Sequence, residues 1–82
     1  MITVKLFADL REAAGVKDLE LQARTVAEAL AQLRARFGEK LEAHLPRAAV
    51  LVNGENVKFL KGEKTRLKPG DTLSLLPPVA GG

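Results

Sequence analysis

Alternating apolar residues near both ends of the chain, with one amphipathic helix between them, predict an α+β domain. It has a mixed sheet of about five strands and one main helix on one face. Three observations carry this expectation. Ile2, Val4 and Leu6 alternate with Thr3 and Lys5. Val26, Leu30, Leu33 and Phe37 recur at helical spacing. Thr72 to Leu76 is a second strand-like run, closed by Pro77 and Pro78. At 82 residues there is room for one core, because a chain of this size buries only about 60–65% of its unfolded surface.

The elements follow in order. After the first strand, Asp9 to Lys17 contains Gly15 and reads as a loop with room for a helical turn. Asp18-Leu19-Glu20-Leu21-Gln22 alternates again and suits a hairpin with the first strand. Thr25-Val26-Ala27-Glu28 fits a capping box, in which the threonine hydroxyl accepts from the Glu28 N–H and the carboxylate reaches back. Arg34 and Arg36 lie where the helix dipole favours positive charge, and Gly38 supplies a left-handed stop. From Glu39 to Pro46 the sequence reads as irregular, or as a short helical turn.

Ala48 to Val52 is a short apolar run that meets Asn53-Gly54, a strong hairpin signal. A brief strand around Glu55 to Val57 follows. Pro69-Gly70-Asp71 is turn chemistry, and Pro77 ends the last strand by removing a ladder donor. Strand, strand, helix, strand, short strand, strand, with the last parallel to the first in the sheet centre, is the order of a β-grasp, the ubiquitin-like architecture. Residues 1–76 form that domain on this reading, and residues 77–82 form a flexible C-terminal tail.

Composition removes several chemistries. The chain has no cysteine, which excludes a disulfide framework, a thiolate metal site and a cysteine nucleophile. His44 is the single histidine, and one imidazole does not make a zinc site, so no metal ligands are assigned. His44 itself reads as a surface loop residue. Ser74 is the only serine and sits inside an apolar strand. No apolar run approaches the roughly 20 residues that span a bilayer, and Met1 to Lys5 has no leader character. A cytoplasmic protein without a membrane partner is expected. Net charge is +3 and no aromatic pair suits base stacking, which disfavours nucleic acid as a partner.

The last residues, Leu75-Leu76-Pro77-Pro78-Val79-Ala80-Gly81-Gly82, end a strand, stiffen the exit and finish on a slim tip. Phe7-Ala8-Asp9-Leu10-Arg11-Glu12, followed by Gly15, resembles the opening stretch of the small subunit of molybdopterin synthase. Leu67 to Leu73 and Pro77 to Gly82 are similar to that family's ending, a Gly-Asp turn and then a Pro-Pro-Val-x-Gly-Gly tail. The resemblance covers essentially the whole chain, and the ending is its specific part.

That resemblance implies a sulfur carrier. An E1-like adenylating enzyme would use ATP and magnesium to activate the Gly82 carboxylate, and a sulfur donor would displace AMP to leave a thiocarboxylate. The large subunit of molybdopterin synthase would then use the sulfur to build the dithiolene of molybdopterin from a cyclic pyranopterin phosphate, in a hetero-oligomer. This chain would bind no cofactor and hold no complete active site alone. The reacting centre would be Gly82, presented by Pro77, Pro78, Val79, Ala80 and Gly81. Glycine without a Cβ passes a narrow channel and leaves the carbonyl open to attack. Fully extended, the six residues from Pro77 reach at most about 20–22 Å.

Other readings stay open. The same chemistry suits a carrier for the thiamine thiazole or for tRNA thiolation. A ubiquitin-like modifier would join lysines through Gly82, and a plain interaction module would carry an inert tail. Phe7 and Leu76 are out of phase with the inner residues of their strands. With Leu51 they form either an apolar partner surface beside the tail or local packing, and Arg11 is a charged rim contact or merely solvated. Lys58 to Lys68 carries five basic residues and one acidic, and reads as a solvated loop.

Overall fold

The computed structural model describes residues 1–78. Its sheet contains β1 (Ile2–Leu6), β2 (Asp18–Leu21), β3 (Ala49–Val52), β4 (Glu55–Asn56) and β5 (Thr72–Leu76), in the spatial order β2-β1-β5-β3-β4. β5 is parallel to β1, with Val4 beside Leu73 and Leu6 beside Leu75. The other neighbours are antiparallel, with Ile2 opposite Leu21 and Val52 opposite Leu73. This is the expected β-grasp, with the last strand in the centre.

The main helix, α2 (Val26–Phe37), forms where the periodicity places it. Thr25 Oγ1 accepts from the Glu28 N–H at 3.2 Å. The Glu28 carboxylate reaches one residue past the cap and accepts from the Arg24 N–H at 3.1 Å. Val26, Ala29, Leu30 and Leu33 turn inward onto Ile2, Val4, Leu6, Leu73 and Leu75, all buried in one core cluster.

Two segments settle what the sequence left open. Ala8–Ala14 is a helix, α1, longer than the single helical turn for which the expected loop left room. Its Leu10 is almost fully buried, and that anchor stabilises a stretch whose local pattern is weak. Gly15 ends it in the left-handed conformation at φ 80°, its N–H bonded to the Arg11 carbonyl. Glu39–Glu42 is a further short helix, α3, followed by a 3-10 turn over Leu45–Arg47. Leu41 and Leu45 bury into the core and decide that segment. Gly38 has positive φ, but its ψ of −153° is extended, so it bends the chain from α2 directly into α3.

The strand expected near Glu55 to Val57 stops at Asn56. Val57–Phe59 is a 3-10 turn capped by the Asn56 side chain, which accepts from the Lys58 N–H at 2.9 Å.

Candidate functional site

The tail leaves the body from a central strand, and that fixes what surrounds its root. β5 is held by β1 on one side and β3 on the other, up to its last residue, Leu76. The described chain then continues through half-buried Pro77 to exposed Pro78. Val79, Ala80, Gly81 and Gly82 lie outside the described residues.

Strand parity sorts the two faces. Leu73 and Leu75 point into the core, whereas Thr72, Ser74 and Leu76 face outward. Leu51 is paired with Ser74, which has Lys5 on its other side, and Ala49 is paired with Leu76. Leu51 and Leu76 therefore share the face opposite α2, each half-buried. Phe7 lies just past β1, still extended at φ −124°, and its N–H donates to the Leu75 carbonyl at 3.1 Å. It is 40% exposed and continues the row beside Leu76. The structure thus brings Phe7, Leu51 and Leu76 to one side of the sheet at the tail root. Arg11 is exposed one turn into α1, and among the described residues its side chain makes no hydrogen bond or ion pair.

On the other side of the root is a small cleft of about 170 Å³, lined by Asp9, Leu10, His44, Arg47, Pro77 and Pro78. His44 is not a free loop residue. Its Nδ1 lies 3.5 Å from Asp9 Oδ2, an ion pair when the imidazole is protonated, and the two tie α1 to the turn after α3. Sequence reading missed this pair because Asp9 and His44 are far apart in the chain. Only the packing of Leu10 and Leu41 into one core brings their elements together.

The basic segment is partly solvated, as its charges suggest, but it also displays Phe59 at 81% exposure and Leu60 at 37%. A phenylalanine beside Lys58 in a polar stretch was the signal available in the sequence.

A carboxylate clasp lies at the far end of β5. The Lys68 N–H and the Asn53 amide both donate to the Asp71 carboxylate and hold it below the usual range. Among the described residues no three His, Asp or Glu side chains are placed to hold a metal ion. Among the same residues no helix is long and apolar enough to cross a membrane. What the arrangement offers is a rigid body, an apolar patch and a tail root.

The chain matches the ThiS family over residues 4–82. It is 36% identical to the "Putative sulfur carrier protein" of Archaeoglobus fulgidus, across 99% of this chain and 98% of that one. The solution structure of small archaeal modifier protein 1 from Methanosarcina acetivorans superposes with a TM-score of 0.87 at 34% identity, covering 99% of this chain and 95% of that one. The complex of subunits 1 and 2 of molybdopterin-converting factor from Helicobacter pylori contains a chain with a TM-score of 0.74 at 31% identity, covering 99% and 97%. Sequence, fold and tail root agree, and the protein belongs to the ThiS family of ubiquitin-like sulfur carriers.

Proposed function

We propose that this protein is the sulfur-carrying small subunit of a molybdopterin synthase, with Gly82 as its reacting terminus. The observation that carries the reading is the construction of the tail root. A central strand, paired on both sides to Leu76, feeds directly into Pro77 and Pro78 beside outward-facing Phe7 and Leu76. A docked body can hold that root still while the tail enters a partner's active site.

The chemistry asks little of this chain's side chains. A carboxylate is a poor electrophile, so an oxygen of the Gly82 carboxylate attacks the α-phosphorus of ATP in the activating enzyme and pyrophosphate leaves. Sulfur at the sulfide level then adds to the acyl carbonyl, and AMP leaves as the tetrahedral adduct collapses. The product is a thiocarboxylate, one oxygen of the terminus having been replaced by sulfur. Phe7, Leu51 and Leu76 supply the apolar contact that docks the body on the activating enzyme and on the large synthase subunit in turn, with Arg11 at the rim. The family resemblance of the Pro77 to Gly82 ending and the similarity to subunit 1 of the Helicobacter pylori complex support the molybdopterin destination.

Incubation with the activating enzyme, ATP, Mg²⁺ and a sulfur donor tests the reading. Intact mass should show one oxygen exchanged for sulfur, fragmentation should place it on Gly82, and the product should convert cyclic pyranopterin phosphate with the large subunit. An unmodified terminus ends the proposal.

A second reading has its own support. The similarity to a small archaeal modifier protein favours covalent attachment of Gly82 to protein lysines. Isopeptide-linked conjugates recovered from cells expressing the intact chain, and lost on deletion of Gly82, would establish it.

A further inference from the structure

One outermost strand of the sheet keeps free backbone groups. β2, with four residues, lies at one side of the sheet, and its only neighbour is β1. The Thr3 N–H donates to the Asp71 carbonyl and the Phe7 N–H to the Leu75 carbonyl. Odd-numbered residues of β1 therefore turn their backbone groups toward β5. Even-numbered ones turn toward β2, as the Leu6 N–H does in donating to the Lys17 carbonyl. With Val4 opposite Leu19 and Ile2 opposite Leu21, the groups of Lys17, Leu19 and Leu21 face β1. Those of Asp18 and Glu20 alternate with them and point away from the sheet. Gln22, next in that row, has its carbonyl taken by the Gln32 side chain at 2.6 Å. Asp18 and Glu20 are both exposed, and among the described residues nothing bonds their N–H or carbonyl groups. Such an edge is the template for an added strand.

The side chains of β2 select what that strand carries. Leu19 faces the α2 side with buried Leu21 but stays half-buried itself. Asp18 and Glu20 stand on the outer face, with Lys5 across from Asp18 and only Thr3 across from Glu20. Neither carboxylate makes an ion pair among the described residues. Their sign is opposite to the net charge of the chain, which is +3. A second copy fits this edge badly. Antiparallel pairing of β2 with itself about Leu19 or Glu20 sets carboxylate against carboxylate, and like charges directly opposite destabilise a ladder.

We propose that the β2 edge binds an extended segment of a partner protein in which lysine or arginine alternates with apolar residues. Its backbone would pair with Asp18 and Glu20. Its basic side chains would stand beside those two carboxylates, and its apolar ones would pack on Leu19 at the α2 side. Glu20, which has no cation across from it, would be the stronger charged anchor. This surface does not use Phe7, Leu51 or Leu76, so it goes beyond the docking assigned to the sulfur reaction. Neighbouring strands lie about 4.7–4.9 Å apart, which puts the added strand about 14–15 Å from β5. A protein held there would leave the tail root open to another.

The test uses the full 82-residue chain, isotopically labelled, and a synthetic peptide of alternating lysine and valine. NMR titration should give saturable shifts centred on Asp18, Leu19 and Glu20. Amide exchange should slow at Asp18 and Glu20, whereas Leu19 and Leu21, already bonded to β1, should change little. A twin with glutamate for lysine should bind at least about tenfold more weakly. A twin of the same composition with its lysines in one block should not slow the two amides. A twin N-methylated along its length should not bind, since it lacks the ladder donors. Glu20→Lys should weaken binding about fivefold or more with the remaining spectrum intact, and Phe59→Ala, on the far side of the sheet, should leave it unchanged. Absence of saturable shifts overturns the proposal, as do shifts centred on Leu51 and Leu76, equal binding of the glutamate twin, or unaltered exchange at Asp18 and Glu20. Shifts of the β2 resonances on dilution without peptide assign the edge to a second copy and also overturn it.

Discussion

The Asn53 side chain donates to Asp71 Oδ1 at 3.0 Å across eighteen residues of sequence, joining the β3–β4 turn to the turn that launches β5. The same Asn53 amide accepts from the Thr72 N–H at 2.9 Å, and Asp71 Oδ2 accepts from the Lys68 N–H at 2.8 Å. Asn53 also sits at φ 51°, which asparagine tolerates better than most residues. Replacing it with alanine removes two hydrogen bonds and strains the turn. Asn53→Ala should lose about 1–2 kcal/mol in a urea titration, and a change within error would show that the clasp contributes nothing.

The clasp makes stability depend on acid pH. The Lys68 and Asn53 donors lower the folded-state pKa of Asp71. Its contribution is therefore complete above the unfolded value, near about 3.9, and is lost as pH falls through the lower folded value. The stability gap between wild type and Asp71→Asn should be constant around neutrality and narrow below about pH 4. A gap that widens on acidification would contradict the assignment.

Leu75 and Leu76 are adjacent but face opposite ways, and their variants should separate folding from docking. Leu75 is fully buried, so Leu75→Ala should cost about 2–5 kcal/mol of stability. Leu76→Asp and Phe7→Asp should leave the fold intact and weaken the complex with the activating enzyme or large subunit by about 1–3 kcal/mol each. Calorimetric binding of folded variants at wild-type affinity would remove the outer face from the interface.

Deleting Gly82 should abolish sulfur loading while thermal unfolding stays nearly unchanged. Adding one residue after Gly82 should be almost as damaging, since the carboxylate moves about 3.3–3.6 Å along the channel. Full loading of either protein, after trimming back to Gly82 has been ruled out by mass, would falsify the reacting-terminus assignment.

Lys61, Lys64 and Lys68 are exposed. Neutralising all three should change sulfur transfer by less than about twofold, because solvated charges contribute little. A large loss that disappears at high salt would instead indicate steering toward an acidic partner.

Much of this was legible in the chain itself. Period-two alternation set β1 and β5, the capping box and helical spacing set α2, and Asn53-Gly54 set the β3–β4 hairpin. These signals are local, and tertiary packing reinforces each of them. The out-of-phase positions of Phe7 and Leu76 were visible for the same reason, since parity is a property of neighbouring residues. The terminal glycines and prolines needed no fold to be noticed.

What tertiary structure decided was whatever depended on residues far apart in sequence. Two weakly patterned segments became α1 and α3 because Leu10 and Leu41 find places in the core. That same packing draws Asp9 to His44 beside the tail root. The early end of β4 is likewise unwritten in local propensity, because Val57 leaves the ladder to bury itself. The turn that follows leaves Phe59 facing outward, which no periodicity in the sequence could announce. Sequence determines faces and turns through neighbours a few residues apart. Edges, clefts and clasps arise only when the core chooses which distant residues meet.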